Sequence, residues 1–438
     1  MGLIGVCNTN VNVDKWIREA FSGQTDFPYI YQFVHEEKKI LEFLNFDLPE
    51  LVIMNFSDEK LDMDFLTEQV RGDAWLHSFG IIGIYDSQKV SDRELFQKLT
   101  GLNILALIDI PHIRTHLVKC LRIIAQNSQF ILSKEIADTL VESSSNTFTI
   151  ENDVLAASIY AGMAVIHLLQ RGCIDMEKRM LLQLALSELI TNGIEHGNCG
   201  ITYEEKTEAL SRGIDIVELI EEKCQDPVIA KKRVSFSWEI GGRSTKFIIR
   251  DEGAGFDVAA YKRRLKSEDP LASHGRGIRM ASLAAQRITY NKAGNEVTLV
   301  VRHTDAISQQ TPLGFKNAEI VKVQKGDMVF NEGEVSDFLY YIVSGNYNVL
   351  HEGSIIGTLS SQDIFMGEMS FLLNNKRNAT VKAETEGKLI KVSRKNFVGA
   401  IKKYPHYGIF LSKLLARRLL RANSINAQRL SAFQPTSI

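Results

Sequence analysis

LLQLALSELITNGIEHG, residues 181–197, puts Leu182, Leu186, Leu189 and Ile190 on one helical stripe, which predicts an amphipathic helix. Glu188 and Asn192 stand four apart and share a different face, a carboxylate and an amide one turn from each other. Gly197, after Glu195 and His196, is expected to end the helix. By itself such a pair is the ordinary make-up of a solvated helix face. It gains meaning from two glycine-rich strings downstream. In TKFIIRDEGAGFD, residues 245–257, a strand runs into Asp251, and Gly253 and Gly255 make a tight turn where backbone can approach a ligand closely. In SHGRGIRMASLAAQRITY, residues 273–290, Gly275, Arg276 and Gly277 precede a helix whose first amides could hold phosphate.

The chain has 438 residues, too many for one core, and about three domains are expected at roughly 150 residues each. A hydrophobic content of 45% and a charged content of 24% are those of a soluble globular protein. The formal net charge of -2 argues against a broad electrostatic grip on nucleic acid or anionic membrane. Cys7, Cys120, Cys173, Cys199 and Cys224 are far apart and form no CxxC, so neither a disulfide framework nor a zinc site is indicated. A reducing cytoplasmic setting is expected, with no signal peptide and no membrane span.

Residues 1–131 alternate apolar runs with helical patterns. Strands are expected at Leu3 to Cys7, Tyr29 to Val34, Leu51 to Asn55, Gly80 to Tyr85 and Asn103 to Ile108. This predicts a doubly wound α/β domain, a parallel sheet with helices on both faces. The layout resembles a response-regulator receiver. Where receivers carry acids after the first strand, a phosphoacceptor Asp after the third and a Lys after the fifth, this chain has Cys7 and Asn8, then Asn55, then Asp109 before Pro111. Tyr85 or Asp86 stands at the Ser/Thr position that ends the fourth. Without the acids a Mg²⁺ ion cannot be gripped. The expectation is a pseudo-receiver used for docking or dimerisation, with Asp47 and Asp58 as surface loop acids. Residues 133–150 read as a connecting stretch, and VLAASIYAGMAVIHLLQRG as a long apolar helix. His112, His116 and His167 lack the neighbouring acid of a phosphoacceptor histidine and are read as structural.

SELITNGIEHG, DEGAGFD and HGRGIRM together resemble the nucleotide boxes of the Bergerat-type ATPase fold, most closely those of anti-sigma-factor serine kinases, over residues 148–303. The resemblance implies an α/β sandwich within residues 132–306. Asn192 would ligate the Mg²⁺ that bridges the ATP phosphates, and Asp251 would accept a hydrogen bond from the adenine amino group. Gly253 and Gly255 would let base and ribose pack close, and Gly275, Arg276 and Gly277 would form a lid over the phosphates. Glu188 would be the general base. Between the first two boxes, residues 198–232 insert a segment of alternating Glu and Lys, expected to be a solvent-exposed helix pair.

From Ala318 to Val392 short β-rich runs are punctuated by glycines, which predicts a β-roll within a third domain, residues 312–438. FMGEMSFLLNNKRNATV, residues 365–381, resembles the phosphate-binding cassette of cyclic-nucleotide-binding domains. By that resemblance Glu368, after Gly367, would accept the ribose 2'-hydroxyl. Arg377 would pair with the cyclic phosphate, aided by the helix start at Met369 and Ser370. Asn378 departs from the usual small or hydroxyl residue and leaves cAMP and cGMP both open. The basic helix YGIFLSKLLARRLLRANSINAQRL follows, its ARRLLR read as a solvated basic face rather than a DNA contact.

Together these resemblances imply a cytoplasmic signalling protein that binds Mg-ATP and phosphorylates Ser or Thr on a small anti-anti-sigma-like (STAS-like) protein under control of a cyclic nucleotide. The other reading is a non-catalytic ATP-binding switch that sequesters a partner such as a sigma factor. Direct DNA binding is not expected, and both the pseudo-receiver and the final helix are candidate homodimer surfaces.

Overall fold

The computed structural model describes residues 2–22, 29–73, 77, 79–90, 94–95, 98–127, 145–171, 173–259, 283–304, 311–373, 375–416 and 418–419. The chain divides into two compact units, residues 1–37, 49–74 and 78–310 in the first, and 38–48, 75–77 and 311–438 in the second.

The first unit begins with strands β1 (Gly2–Cys7), β2 (Tyr29–Val34), β3 (Leu51–Asn55), β4 (Gly80–Tyr85) and β5 (Ile104–Asp109). They pair in parallel in the order β2-β1-β3-β4-β5, a doubly wound arrangement with β1 and β3 at the switch point. All five residues of β3 and all six of β4 are buried, so both faces of the sheet are covered. That is why these strands read as continuous apolar runs, and their positions match the expected ones closely. Helix α1 (Val11–Ser22) buries Val13, Ile17, Ala20 and Phe21, and α4 (Val118–Gln126) buries Cys120, Leu121, Ile123 and Ile124. Between them in sequence lie α2 (Glu37–Glu42) and α3 (Met63–Gly72).

A second, antiparallel sheet follows in the same unit, ordered β6-β7-β8-β10-β9. Its strands are β6 (Ser145–Ile150), β7 (Val234–Ile240), β8 (Ser244–Arg250), β9 (Arg287–Tyr290) and β10 (Glu296–Arg302). β6 corrects the expected connector: residues 145–150 are an edge strand, paired from Ser145↔Glu239 to Ile150↔Val234. Only β7, far along the chain, makes that segment a strand.

Helices α5 (Val154–Gln170) and α6 (Met176–Asn192) pack on each other, and their apolar side chains share a core with Phe148, Phe236, Trp238, Phe247, Leu299 and Val301. The core also takes in residues of the first sheet, including Ile82, Leu105 and Ile108. The join is polar where it meets the edge of β5. Arg179 on α6 donates from Nη1 to Leu102 O (2.6 Å) and from Nη2 to Ile104 O (2.8 Å), and Gln183 Nε2 donates to Ile104 O (3.0 Å). Carbonyls that an edge strand would otherwise leave open are thus capped from within the chain. Burial pushes the Arg179 guanidinium down to about 9.

The second unit contains two four-stranded antiparallel sheets, as expected of a β-roll. One is β11-β18-β13-β16, from β11 (Glu319–Val323), β18 (Gly387–Ser393), β13 (Phe338–Ser344) and β16 (Phe365–Met366). The other is β12-β17-β14-β15, from β12 (Met328–Phe330), β17 (Thr380–Ala383), β14 (Tyr347–His351) and β15 (Ser354–Leu359). Phe330, Tyr340, Ile342, Tyr347, Met366 and Leu389 fill the space between them.

Candidate functional site

Helix α6 starts at Asp175, whose carboxylate accepts from Lys178 N–H at 2.7 Å. Leu182, Leu186, Leu189 and Ile190 are buried, each worth about 1.5–3 kcal/mol. This apolar stripe fixes the helix's rotation, so Glu188 is exposed and Asn192 half-buried on the other side.

The helical run ends within one residue of Gly197, as expected. Its last turn is a wide π-turn over Gly193–Asn198. Gly197 also serves a second purpose: a Cβ there would lie 2.4 Å from the Asp251 carboxyl. A Cβ on Gly253 would lie 2.2 Å from Gly197 O, so the turn and the Asp251 loop meet backbone to backbone. Gly255 has φ +75°, and a Cβ on it would sit 1.9 Å from Ala293 O. These contacts give Gly253 and Gly255 a role within the protein itself. Asp251 N–H donates to Asn295 O at 3.0 Å, and Asp251 Oδ1 accepts from Gly253 N–H at 2.8 Å. Burial raises the Asp251 carboxyl, with the Gly253 hydrogen bond opposing. Gly275, Arg276 and Gly277 lie outside the described residues.

Several residues of this site carried no sequence signal. Asn198, 1% exposed, accepts from Glu252 N–H and donates to Asn152 Oδ1, both at 2.8 Å, and so suspends the Asp251 loop. Glu195, 2% exposed, is ion-paired to Lys206 at 2.6 Å. Lys206 belongs to α7 (Tyr203–Ser211), the first of three helices in the inserted segment, followed by α8 (Ile216–Lys223) and α9 (Pro227–Lys231). The segment is largely solvent-exposed, as expected, but has a third short helix, and Lys206 and Lys232 both turn back onto the π-turn. The Glu188 carboxyl is raised by burial first and Glu195 second, while Lys206 and His196 act in the opposite direction.

The histidines behave structurally. His167 packs edge-on to Trp238, and burial pushes it down to about 4. His112 and His116 stack on each other with ring centroids 5.0 Å apart.

In the second unit, Gly367 at φ +74° opens the short helix α10 (Glu368–Leu372). Arg377, 4% exposed, donates from Nη1 to Gly367 O (2.8 Å) and Ser370 Oγ (3.0 Å), and from Nη2 to Phe338 O. Its guanidinium lies 4.2 Å over the Phe330 ring, and among the described residues its Nε has no hydrogen-bond partner. Burial lowers the Arg377 pKa. Among the described residues no carboxylate forms an ion pair with Arg377, so a buried cation is held by neutral acceptors, a setting that favours an anion. Met369 is exposed, and Asn378 O lies 3.2 Å from His351 Nδ1. Glu368 is buried and ion-paired to Arg418, which also donates to Phe365 O at 2.8 Å. Arg418 thus corrects the expectation that the basic side chains of ARRLLR face solvent. A following helix, α11 (Arg394–Lys403), packs Phe397 edge-on to Phe371 of α10.

Residues 156–301 match the histidine kinase-like ATPase domain and residues 320–404 the cyclic nucleotide-binding domain. The chain is 41% identical over 76 residues to the cAMP-dependent protein kinase type II regulatory subunit of Drosophila melanogaster, covering 17% of this chain and 20% of that protein. It is 35% identical over 80 residues to a cGMP-dependent protein kinase of Plasmodium berghei (strain Anka), 18% of this chain and 9% of that one. Among solved structures, the Thermus thermophilus catabolite activator protein is 27% identical with a TM-score of 0.25, over 27% of this chain and 57% of that one. The chain spans a fifth or less of the length of these curated relatives. It combines a histidine kinase-like ATPase domain with a cyclic nucleotide-binding domain. No helix among the described residues is long and apolar enough to cross a membrane.

Proposed function

We propose that the ATPase domain binds Mg-ATP and transfers its γ-phosphate to a Ser or Thr of a small anti-anti-sigma-like (STAS-like) partner, with cyclic nucleotide binding in the second unit as the regulatory input. The observation that carries this reading is the junction where the π-turn that continues α6, the helix bearing Glu188 and Asn192 on one face, sets Gly193 and Gly197 against half-buried Asp251.

Mg²⁺ takes oxygen ligands and is usually held by one or two protein groups plus substrate phosphates. The Asn192 amide oxygen fits that demand, and among the described residues no cluster of three His, Cys, Asp or Glu competes for the ion. When bound, the ion supplies charge neutralisation between the phosphates. Asp251, fixed by Gly253 and Asn295, would accept from the adenine amino group. Glu188 would take the proton of the acceptor hydroxyl as its oxygen bonds to the γ-phosphorus and the bond to ADP breaks. Its carboxyl is raised above the ordinary carboxylate range, the direction that strengthens a base.

The first sheet is read as a pseudo-receiver. At the ends of β1 and β3, where a receiver would hold metal and phosphate, Asn55 Nδ2 donates to Asn8 Oδ1 at 2.7 Å. Asp58 is occupied by the Thr9 hydroxyl, also at 2.7 Å. A closed amide pair of this kind supports a scaffold rather than a phosphoacceptor.

Asn192→Ala is expected to abolish Mg-ATP binding in a calorimetric titration, and unchanged affinity would overturn the metal-ligand role. Glu188→Ala should keep Mg-ATP affinity and lower transfer to the partner by about 10²–10⁴-fold. Equal transfer by that variant would favour instead a switch that binds ATP and sequesters a partner such as a sigma factor.

A further inference from the structure

Glu188 and Asn192 share one face of α6, and Glu195 follows on the π-turn, close enough for its charge to raise the Glu188 carboxyl, so the end of the helix assigned to the ATP phosphates carries two carboxylates. A triphosphate would meet net negative charge on approach. The π-turn directs Glu195 inward, and a buried carboxylate is costly unless a cation pairs with it. The cation is Lys206, 2.6 Å away and supplied by the inserted segment.

That segment is built to hold the lysine in place. Thr202 and Glu205 form a reciprocal capping box at the start of α7. Glu205 is in turn ion-paired with Lys223 of α8 at 2.5 Å. The π-turn is tied to the same place, with Ile201 N–H donating to Glu195 O at 2.9 Å and His196 Nδ1 lying 2.7 Å from Ile201 O. The lysine side chain is one-third exposed, so its ammonium is still open to solvent on one side.

We propose that Lys206 is a specificity-determining residue of the ATP site: by cancelling the charge of Glu195 it lets this end of the helix accept a nucleoside triphosphate in preference to the uncharged nucleoside. The inference rests on the Mg-ATP reading above and gives the insertion a function, the delivery of one cation. It also predicts a charge cycle that packing alone would not produce.

The experiment measures the affinities of the full chain for Mg-ATP and adenosine by calorimetry. Lys206→Met exposes the triphosphate to an uncompensated Glu195 and should weaken Mg-ATP by on the order of tenfold, leaving adenosine unchanged. Lys206→Arg should retain native discrimination. Glu195→Gln leaves the ammonium unneutralised and should tighten Mg-ATP, and the double variant Lys206→Met with Glu195→Gln should return near the native value. If Lys206→Met does not fold, the near-isosteric Glu195→Gln carries the test alone. Native discrimination in Lys206→Met, equal loss of both ligands, or no gain in Glu195→Gln overturns the proposal while leaving the Mg-ATP reading intact. A native chain that binds no Mg-ATP removes both.

Discussion

The two candidate sites are constructed in different ways. The ATPase site is assembled from strings far apart in the sequence, α6, the Asp251 loop and the turn before β10, held together where glycines let backbones touch. The cassette's own residues form one contiguous stretch, in which Arg377 folds back onto Gly367 O and Ser370 Oγ and reaches outside it to Phe338 O. The first offers carboxylates and an amide, which suits a metal-bridged triphosphate. The second offers a buried cation, which suits an anion without a metal. The difference lies in where each site stores its precision, in backbone contact for one and in a movable side chain for the other.

The largest effect that tests this contrast is expected at Gly255. A Cβ there meets a backbone carbonyl at φ +75°, so neither side can yield cheaply. Gly255→Ala should cost about 2–4 kcal/mol, read as a lowered thermal midpoint together with loss of Mg-ATP binding. A variant with native stability would show that the loop is more pliable than its contacts imply.

Next comes Arg377→Ala. Native protein at 100 Kd of cAMP or cGMP should gain about 2.7 kcal/mol, and the variant should gain none in a thermal-shift assay. If neither nucleotide stabilises the native chain, the cassette is not a ligand site and the contrast collapses.

The smallest effect is expected at Gly367. It too has a positive φ, +74°, but its hypothetical Cβ meets the Arg377 guanidinium, the far end of a flexible side chain. Gly367→Ala should cost about 1 kcal/mol, and Arg377 can shift to make room. A loss as large as that of Gly255→Ala would mean that the cassette is as rigid as the ATPase junction.

Much of the architecture was legible because it is periodic. The central strands β3 and β4 read as apolar runs, since strands buried on both faces have no polar side to interrupt them. The stripe Leu182, Leu186, Leu189 and Ile190 placed Glu188 and Asn192 on the opposite face of α6. Where expectation failed, a distant partner had intervened. Ser145–Ile150 reads as a connector until β7 pairs with it. Arg418 reads as a solvated base until Glu368, 50 residues earlier, accepts its guanidinium.

What the sequence determined by itself was the chemistry on offer and the local geometry carrying it: an acid and an amide one turn apart, glycines at the turns, an arginine nine residues after a Gly-Glu pair. These depend on helix and strand repeats of a few residues, which a linear chain displays directly. Tertiary structure alone decided that Asn198 holds the Asp251 loop, that Lys206 answers Glu195, and that Arg179 caps the edge of β5. Each is a polar contact between segments whose separation follows no period. Such contacts arise only once burial of the apolar faces has set the elements against one another and a desolvated charge or carbonyl must find a partner.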